Sequence, residues 1–255
     1  MNYLKNMLRR VIGIIPGGQR LSRYLMHRRL EKMGDMASIF QHYFKANSWG
    51  SSESLSGEGS TIAYTENIRK ELPVLVEQFN VRSILDAPCG DYNWFGLIQW
   101  RSPMTYIGGD IVKPLIDRNI SLFEGPATTF KTVNICVDVL PSADLWLCRD
   151  CLFHLSNRDI VLAIKNFLKS DIRYLLTTTH TTCTANKDIP TGSFRSLNLQ
   201  LPPFSFCEPI AQIADWIEGF PVRYLALWDR ETLEKCLANN EMFLSSHQSS
   251  ESAHL

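Results

Sequence analysis

What this 255-residue chain lacks narrows it before any motif is read. No apolar run approaches the roughly 20 residues that cross a bilayer; Val11 to Ile15, near the start, is far too short. Charge has no net sign, with 26 Lys and Arg against 26 Asp and Glu, so nothing global points to nucleic acid as a partner. Cysteine forms no framework: seven residues, an odd number without regular spacing, in a chain large enough to need no staples. That predicts free thiols in a reducing, cytoplasmic setting. Neither an internal repeat nor a second-domain boundary is visible. What is plentiful is core material, and 45% hydrophobic with 11% aromatic residues suffices for one sizeable α/β domain with appendages.

The balanced charge is unevenly placed. From Met1 to Lys32 there are eight Lys or Arg residues and a single acid, Glu31. Leu4, Leu8, Val11, Ile12 and Ile15 fall near one helical face, Lys5, Arg9 and Arg10 near the other, and Pro16-Gly17-Gly18 ends the pattern. Three readings stay open: a helix packed on the domain or a partner, an interfacial helix in peripheral contact with anionic lipid through residues 1–32, or an organellar transit peptide. The chain divides into a basic helical extension (residues 1–46), a Ser/Gly-rich loop or lid (47–63), a main domain (64–244) and a polar tail predicted to be disordered (245–255).

The most informative stretch runs from Ser83 to Phe95. Val81 to Leu85 read as a buried strand, Asp86 closes it, and Ala87, Pro88, Cys89, Gly90 and Asp91 turn the chain toward a helix around Trp94 and Leu97. In open α/β sheets ligands bind beyond the carboxyl ends of the strands, where this turn would lie. Thr105 to Ile111 reads as the next strand, ending in Asp110, which stands 24 residues after Asp86. A carboxylate at such a tip accepts hydrogen bonds from both ribose hydroxyls of a nucleoside, and Ile111 beside it offers an apolar face to a base. A helix over Thr65 to Phe79, a third strand over Phe130 to Cys136 and further strands at Asp144–Cys148, Arg173–Thr179 and Tyr224–Trp228 complete an alternating pattern.

Leu85-Asp-Ala-Pro-Cys-Gly-Asp91 resembles the first motif of class I S-adenosylmethionine-dependent methyltransferases, with Pro88 and Tyr92 where glycines are commonest. Trp49-Gly-Ser and Ser56-Gly-Glu-Gly-Ser-Thr61 resemble the loop that precedes the core in a bacterial-type subfamily. The resemblance implies a Rossmann-like fold: a mostly parallel seven-stranded sheet with helices on both faces and an antiparallel last strand. It implies S-adenosylmethionine as cofactor, bound by Trp49, Gly57, Asp86, Ala87, Cys89, Gly90, Asp91, Asp110, Ile111, Asn134, Ile135 and Arg149. Asn134 stands where an acid usually meets the adenine amino group, with Asp138 as a substitute. Asp144 to Ser156 resembles the fourth motif, which makes Asp150 and His154 the candidates for taking a proton from the acceptor. Phe194-Arg-Ser-Leu-Asn-Leu-Gln-Leu-Pro-Pro-Phe204 resembles a run that shapes the acceptor pocket, with Arg195 and Asn198 orienting substrate.

The implied reaction is methyl transfer to an oxygen or nitrogen of a small molecule or glycan. Two other classes are kept beside it. A donor-binding scaffold without turnover is suggested by the missing glycines and by Asn134, and a nicotinamide oxidoreductase would need the glycine fingerprint this turn lacks. Cys148-x-x-Cys151 with His180-x-x-Cys183 has spacings suited to tetrahedral zinc, against which the apolar setting of both early cysteines makes them small hydrophobes.

Overall fold

The structure, a computed structural model, describes residues 30, 33–49 and 51–244. Most of the basic extension and the tail from 245 to 255 therefore lie outside the described residues, as does every reading made of them. Seven strands follow in chain order: β1 (Ser83–Asp86), β2 (Thr105–Asp110), β3 (Thr128–Thr132), β4 (Leu145–Cys148), β5 (Tyr174–Thr179), β6 (Ala211–Ala214) and β7 (Tyr224–Asp229). They form one sheet in the order β3-β2-β1-β4-β5-β7-β6. Helices α1 (Met36–Lys45), α2 (Glu66–Gln78), α3 (Lys113–Phe123), α4 (Asn157–Lys169), α5 (Arg230–Leu237) and α6 (Glu241–Leu244) lie between and around the strands.

Strands β1 to β5 pair in parallel, whereas β7 pairs antiparallel with both β5 and β6. It follows that β6 runs with the parallel set, and the single reversed strand sits inside the sheet. β4 and β5 are buried at every position, as strands covered on both faces must be, which is why they read as continuous apolar runs. Successive side chains feed opposite layers. In β1, Ile84 joins a cluster with Ile68, Leu72 and Leu147, while Leu85 joins one with Trp146, Phe167 and Trp228.

Helix ends follow local chemistry. Ser156 caps α4 by accepting a hydrogen bond from the Asp159 amide at 3.1 Å, and Asp35 caps α1 through the Ser38 amide at 2.8 Å. None of the described helices is long and apolar enough to cross a membrane.

Two predicted elements differ, and one strand goes unpredicted. The helix expected around Trp94 and Leu97 is only a 3-10 turn at Phe95–Leu97. Its residues are held instead by rings: Phe95 lies 4.3 Å from Tyr106 and 5.5 Å from Trp100, centroid to centroid, and the Asn93 amide donates to Glu53 at 2.8 Å. The third strand lies over Thr128–Thr132, earlier than predicted, because Asn134 ends it by accepting the Cys136 amide on its own side chain at 3.0 Å. The antiparallel strand is the last in sequence, as expected, yet β6 rather than β7 forms the edge; β6, four residues of Ala-Gln-Ile-Ala, carries too weak an apolar signal to read.

Strand order reverses at β1, which has β2 on one side and β4 on the other. The crevice at such a switch point opens beyond the carboxyl ends. Asp86, Asp110 and Arg149 all stand at those ends.

Candidate functional site

The turn after β1 is fixed before any ligand is considered. The Ala87 amide donates to the Leu147 carbonyl at 2.9 Å and the Ala87 carbonyl accepts the Trp146 indole at 2.8 Å. The Cys89 amide donates to Gly109 at 2.8 Å, and the Gly90 carbonyl accepts the Asn119 amide at 2.7 Å. Gly90 has φ of 57°, and a Cβ there would come within 2.1 Å of Ser56 Oγ, so no other residue allows this closeness. Asp86 is buried and accepts a hydrogen bond from the Tyr106 hydroxyl at 2.9 Å, and burial pushes its pKa up to about 8.

Asp110 closes the other side of the crevice. Its carboxylate accepts the Gly90 amide at 3.2 Å and the Val112 amide at 2.9 Å, linking the two strand tips. Burial outweighs these donors and pushes its pKa up to about 6.

Above this floor the Ser/Gly-rich segment is a folded cover. Asp91 organises it, accepting Ser54 Oγ at 2.9 Å, the Leu55 amide at 2.7 Å and Ser56 Oγ at 3.1 Å, while its own amide donates to Ser56 Oγ at 3.0 Å. Glu53 adds a second tie, accepting the Ile62 amide at 2.7 Å. Trp49 packs edge-on to Tyr43 at 5.8 Å and against Gly57, whose φ is 97°.

Beyond β4 the chain builds a buried network of four charges. Arg149 makes a two-pronged pair with Asp215, both bonds at 2.9 Å, and donates to the Gly59 carbonyl of the cover at 2.6 Å. Arg223 donates to Asp150 at 2.8 Å and to the Asp215 carbonyl at 2.8 Å. Tyr64 lies under both guanidiniums, 5.8 Å from that of Arg149 and 4.8 Å from that of Arg223. Although burial pushes it upward, the Arg149 and Arg223 guanidiniums hold the Asp150 carboxyl below its ordinary value. Asp150 itself sits at φ of 53° with its amide tied to Thr178 Oγ1 at 2.9 Å. An ionised, arginine-bound carboxylate is a weak base, so the network orders this end of the crevice.

His154 is different. Its Nδ1 lies 2.8 Å from the Ser193 carbonyl, which can only accept, so Nδ1 carries the proton. Burial lowers its pKa, leaving the ring neutral at pH 7 with the lone pair on Nε2. Phe153 and Phe194 flank the ring at 4.5 Å and 5.8 Å.

These pieces enclose a cavity of about 300 Å³. Of the residues singled out in the sequence, Trp49, Gly57, Asp86, Cys89, Gly90, Asp110, Ile111, Ile135, Arg149, Asp150 and His154 line it. Five do not. Ala87 faces β4 through its backbone, Asp91 holds the cover, and Asn134 is spent on the turn after β3, with Asp138 accepting the Asn134 amide at 2.8 Å. Asn198 braces a loop, donating to the Cys183 carbonyl at 3.3 Å and accepting the Gln200 amide at 3.1 Å. Arg195 is buried, and all three of its guanidinium nitrogens lack a hydrogen-bond partner among the described residues.

Sequence reasoning missed Tyr64, Arg223, Met36, Phe40, Phe44 and Phe220, which line the cavity, and Asp215, which holds Arg149 from behind it. Asp215 and Arg223 flank two short strands late in the chain; an acid just after one strand and an arginine just before the next was the available signal. The four residues with zinc-like spacing are not gathered. Cys183 Sγ donates to the Ala185 carbonyl at 3.3 Å, His180 Nδ1 accepts the Leu197 amide at 3.3 Å, and among the described residues no group of three His, Cys, Asp or Glu is placed to hold a metal.

No protein-family model matches the sequence, and no curated protein matches it. Solved structures do. Magnesium protoporphyrin IX methyltransferase from Synechocystis PCC 6803, solved with bound S-adenosylmethionine, aligns with a TM-score of 0.52 at 14% identity, over 76% of this chain and 96% of that one. TnmH aligns with a TM-score of 0.50 at 12% identity, over 65% of this chain and 55% of that one, so the chain spans about half of TnmH. For the methyltransferase domain of a bacterial Hen1 the TM-score is 0.40 at 13% identity, over 46% of this chain and 66% of that domain. At such identities the likeness to the first two establishes the fold alone, a Rossmann-like sheet.

Proposed function

We propose that the cavity binds S-adenosylmethionine and that the chain transfers its methyl group to an oxygen or nitrogen of a small molecule or glycan. The observation that carries this reading is Asp110, at the carboxyl tip of β2, tied to the Gly90 turn of β1 and lining the same cavity as His154. Beyond the two backbone donors, its carboxylate keeps lone pairs for both hydroxyls of a ribose. Ile111, Val112, Leu115 and Ile135 add apolar surface beside it for an adenine. The same-fold protein from Synechocystis carries this donor, which supports the choice of ligand.

Charge supports it as well. Neither Asp86 nor Asp110 hydrogen-bonds a Lys or Arg among the described residues, and burial raises both pKa values. A ligand bearing an ammonium and a sulfonium supplies the missing positive charge. A pyrophosphate would instead set negative charge against the Asp110 carboxylate and push the buried Asp86 further from ionising, and Pro88 removes one of the amides a phosphate cradle uses.

Bound there, the donor supplies an electrophilic methyl carbon on sulfur. The chain's own part is alignment, exclusion of water and removal of one proton. His154 takes that proton on Nε2, while the Ser193 carbonyl holds the ring in the tautomer that leaves Nε2 bare. Asp150 and Arg223 keep the strand end next to it in place, and the Arg149 bond to Gly59 holds the cover shut over the site.

Calorimetry with the purified chain tests the reading. S-Adenosylmethionine should bind and NAD should not, and Asp110→Ala should weaken binding at least about a hundredfold, the loss expected for two hydrogen bonds to a charged acceptor. Absence of binding, or binding indifferent to the substitution, would overturn it.

A further inference from the structure

The cavity changes character along its length. At one end stand the carboxylates of Asp86 and Asp110 and the hydroxyls of the cover. Around His154 the wall is apolar. Met36, Phe40 and Phe44 recur every four residues along α1 and so share one helical face, and all three line the cavity. Contacts place that helix beside His154: the Tyr43 hydroxyl donates to the Gly192 carbonyl at 2.8 Å, and the Gly192 amide donates to the His154 carbonyl at 2.8 Å. Phe153 and Phe194 close the same wall, their rings 5.4 Å apart.

Two features of this wall select among acceptors. Among Met36, Phe40, Phe44, Phe153, Phe194 and His154, the imidazole is the one hydrogen-bonding side chain; Asp150 and Arg223, which also line the cavity, are bonded to each other at 2.8 Å, and the Tyr64 hydroxyl donates to the Asp215 carbonyl at 3.4 Å. A sugar would bury several hydroxyls against Phe and Met without partners, each at a cost of about 1–3 kcal/mol. An aromatic ring would stack there favourably. The base points the same way: a neutral imidazole with a lowered pKa is better matched to a phenol, with pKa about 10, than to the far less acidic hydroxyl of an alcohol or sugar.

We infer that the acceptor is a planar aromatic molecule carrying a phenolic hydroxyl, seated between the Met36–Phe40–Phe44 face of α1 and Phe194, with its hydroxyl at His154 Nε2. This deepens the methyltransferase reading and rests on it. The acceptor oxygen forms a bond to the methyl carbon, the carbon–sulfur bond breaks with its electron pair remaining on sulfur, and the hydroxyl proton passes to His154 and on to solvent. The products are an aryl methyl ether, a thioether and one proton.

The test uses 2-naphthol as the aromatic probe and methyl glucoside as the sugar, titrated by calorimetry with and without S-adenosylhomocysteine. Phe194→Ala is the first variant, because Phe194 is 56% exposed and its loss leaves the core intact; Phe44→Ala is the second. 2-Naphthol should bind, each variant should weaken it about tenfold, and incubation with S-adenosylmethionine should yield its methyl ether. Methyl glucoside should neither bind nor react. Failure of 2-naphthol to bind, binding indifferent to both variants, or methylation of the sugar instead would overturn the inference. Failure of S-adenosylhomocysteine alone to bind would strike the donor reading, while the titration without it still decides whether the wall takes an aromatic ring.

Discussion

The two ends of the cavity are built by opposite means. At the carboxylate end the functional side chains lie close in sequence, on two strand tips 24 residues apart and the turn between them, and a loop 35 to 37 residues upstream is anchored on Asp91. The end around His154 is assembled from distant parts, with α1, the segment after β4, Phe194 and the β6–β7 region each contributing side chains. The difference teaches where recognition and chemistry are stored in this fold. A carboxylate at a strand tip can be written into one stretch of sequence, whereas the apolar wall around His154 is written across the chain.

Between the ends lies the network of Arg149, Asp215, Arg223 and Asp150, and breaking it should have the largest effect. Asp215→Ala leaves Arg149 buried without its two-pronged partner, which should cost about 3–5 kcal/mol of stability. Urea denaturation reads that loss. A change below about 1 kcal/mol would mean that the two ends are not joined through this pair.

Next in size is His154→Gln, which keeps a polar side chain of similar reach but removes the base. Turnover should fall about a hundredfold with donor affinity unchanged, so the two ends separate in one variant. The pH profile sharpens this. Because the His154 pKa is lowered from 6.5, the ring is the neutral base across neutral pH, and turnover should fall only on the acid side, below pH 6.5. A profile still falling above pH 7 would contradict the assignment of His154.

The smallest effect concerns the carboxylate end without ligand. Asp86 and Asp110 have pKa values raised from 3.8 to about 8 and about 6, so the folded chain holds protons the unfolded chain releases. Their contribution is therefore fully present below about pH 4 and is lost as pH rises toward 8. Melting temperatures across that window should fall with pH in the free protein, beyond the change seen in an Asp86→Asn variant. S-Adenosylmethionine, by bringing positive charge, should flatten the slope. A slope unchanged in Asp86→Asn would remove that carboxyl from the account.

Legibility followed the same division. Asp86, Gly90 and Asp110 could be found from an apolar run ending in an acid, because strand, turn and spacing are encoded within 30 residues. Asp91 lies in the same run yet faces the cover, because hydrogen-bond partners 35 to 37 residues earlier decide where a carboxylate points. Arg195 shows the same limit: it looks like a ligand-facing arginine in sequence, and the fold buries it outside the cavity. Asp215 and Arg223 are 66 and 73 residues from the groups they hold, Arg149 and Asp150, and no periodicity links such positions. The Met36–Phe40–Phe44 face of α1 falls inside the predicted helical extension, and its role is not legible there, since a stripe covering a cavity and one covering a core read alike.

A crystal structure with S-adenosylhomocysteine tests the central claim most directly. The account expects both ribose hydroxyls on the Asp110 carboxylate, the adenine against Ile111 and Ile135, and the sulfur turned toward His154 and the apolar wall. A molecule bound with its ribose away from Asp110, or with its sulfur turned from His154, would contradict it.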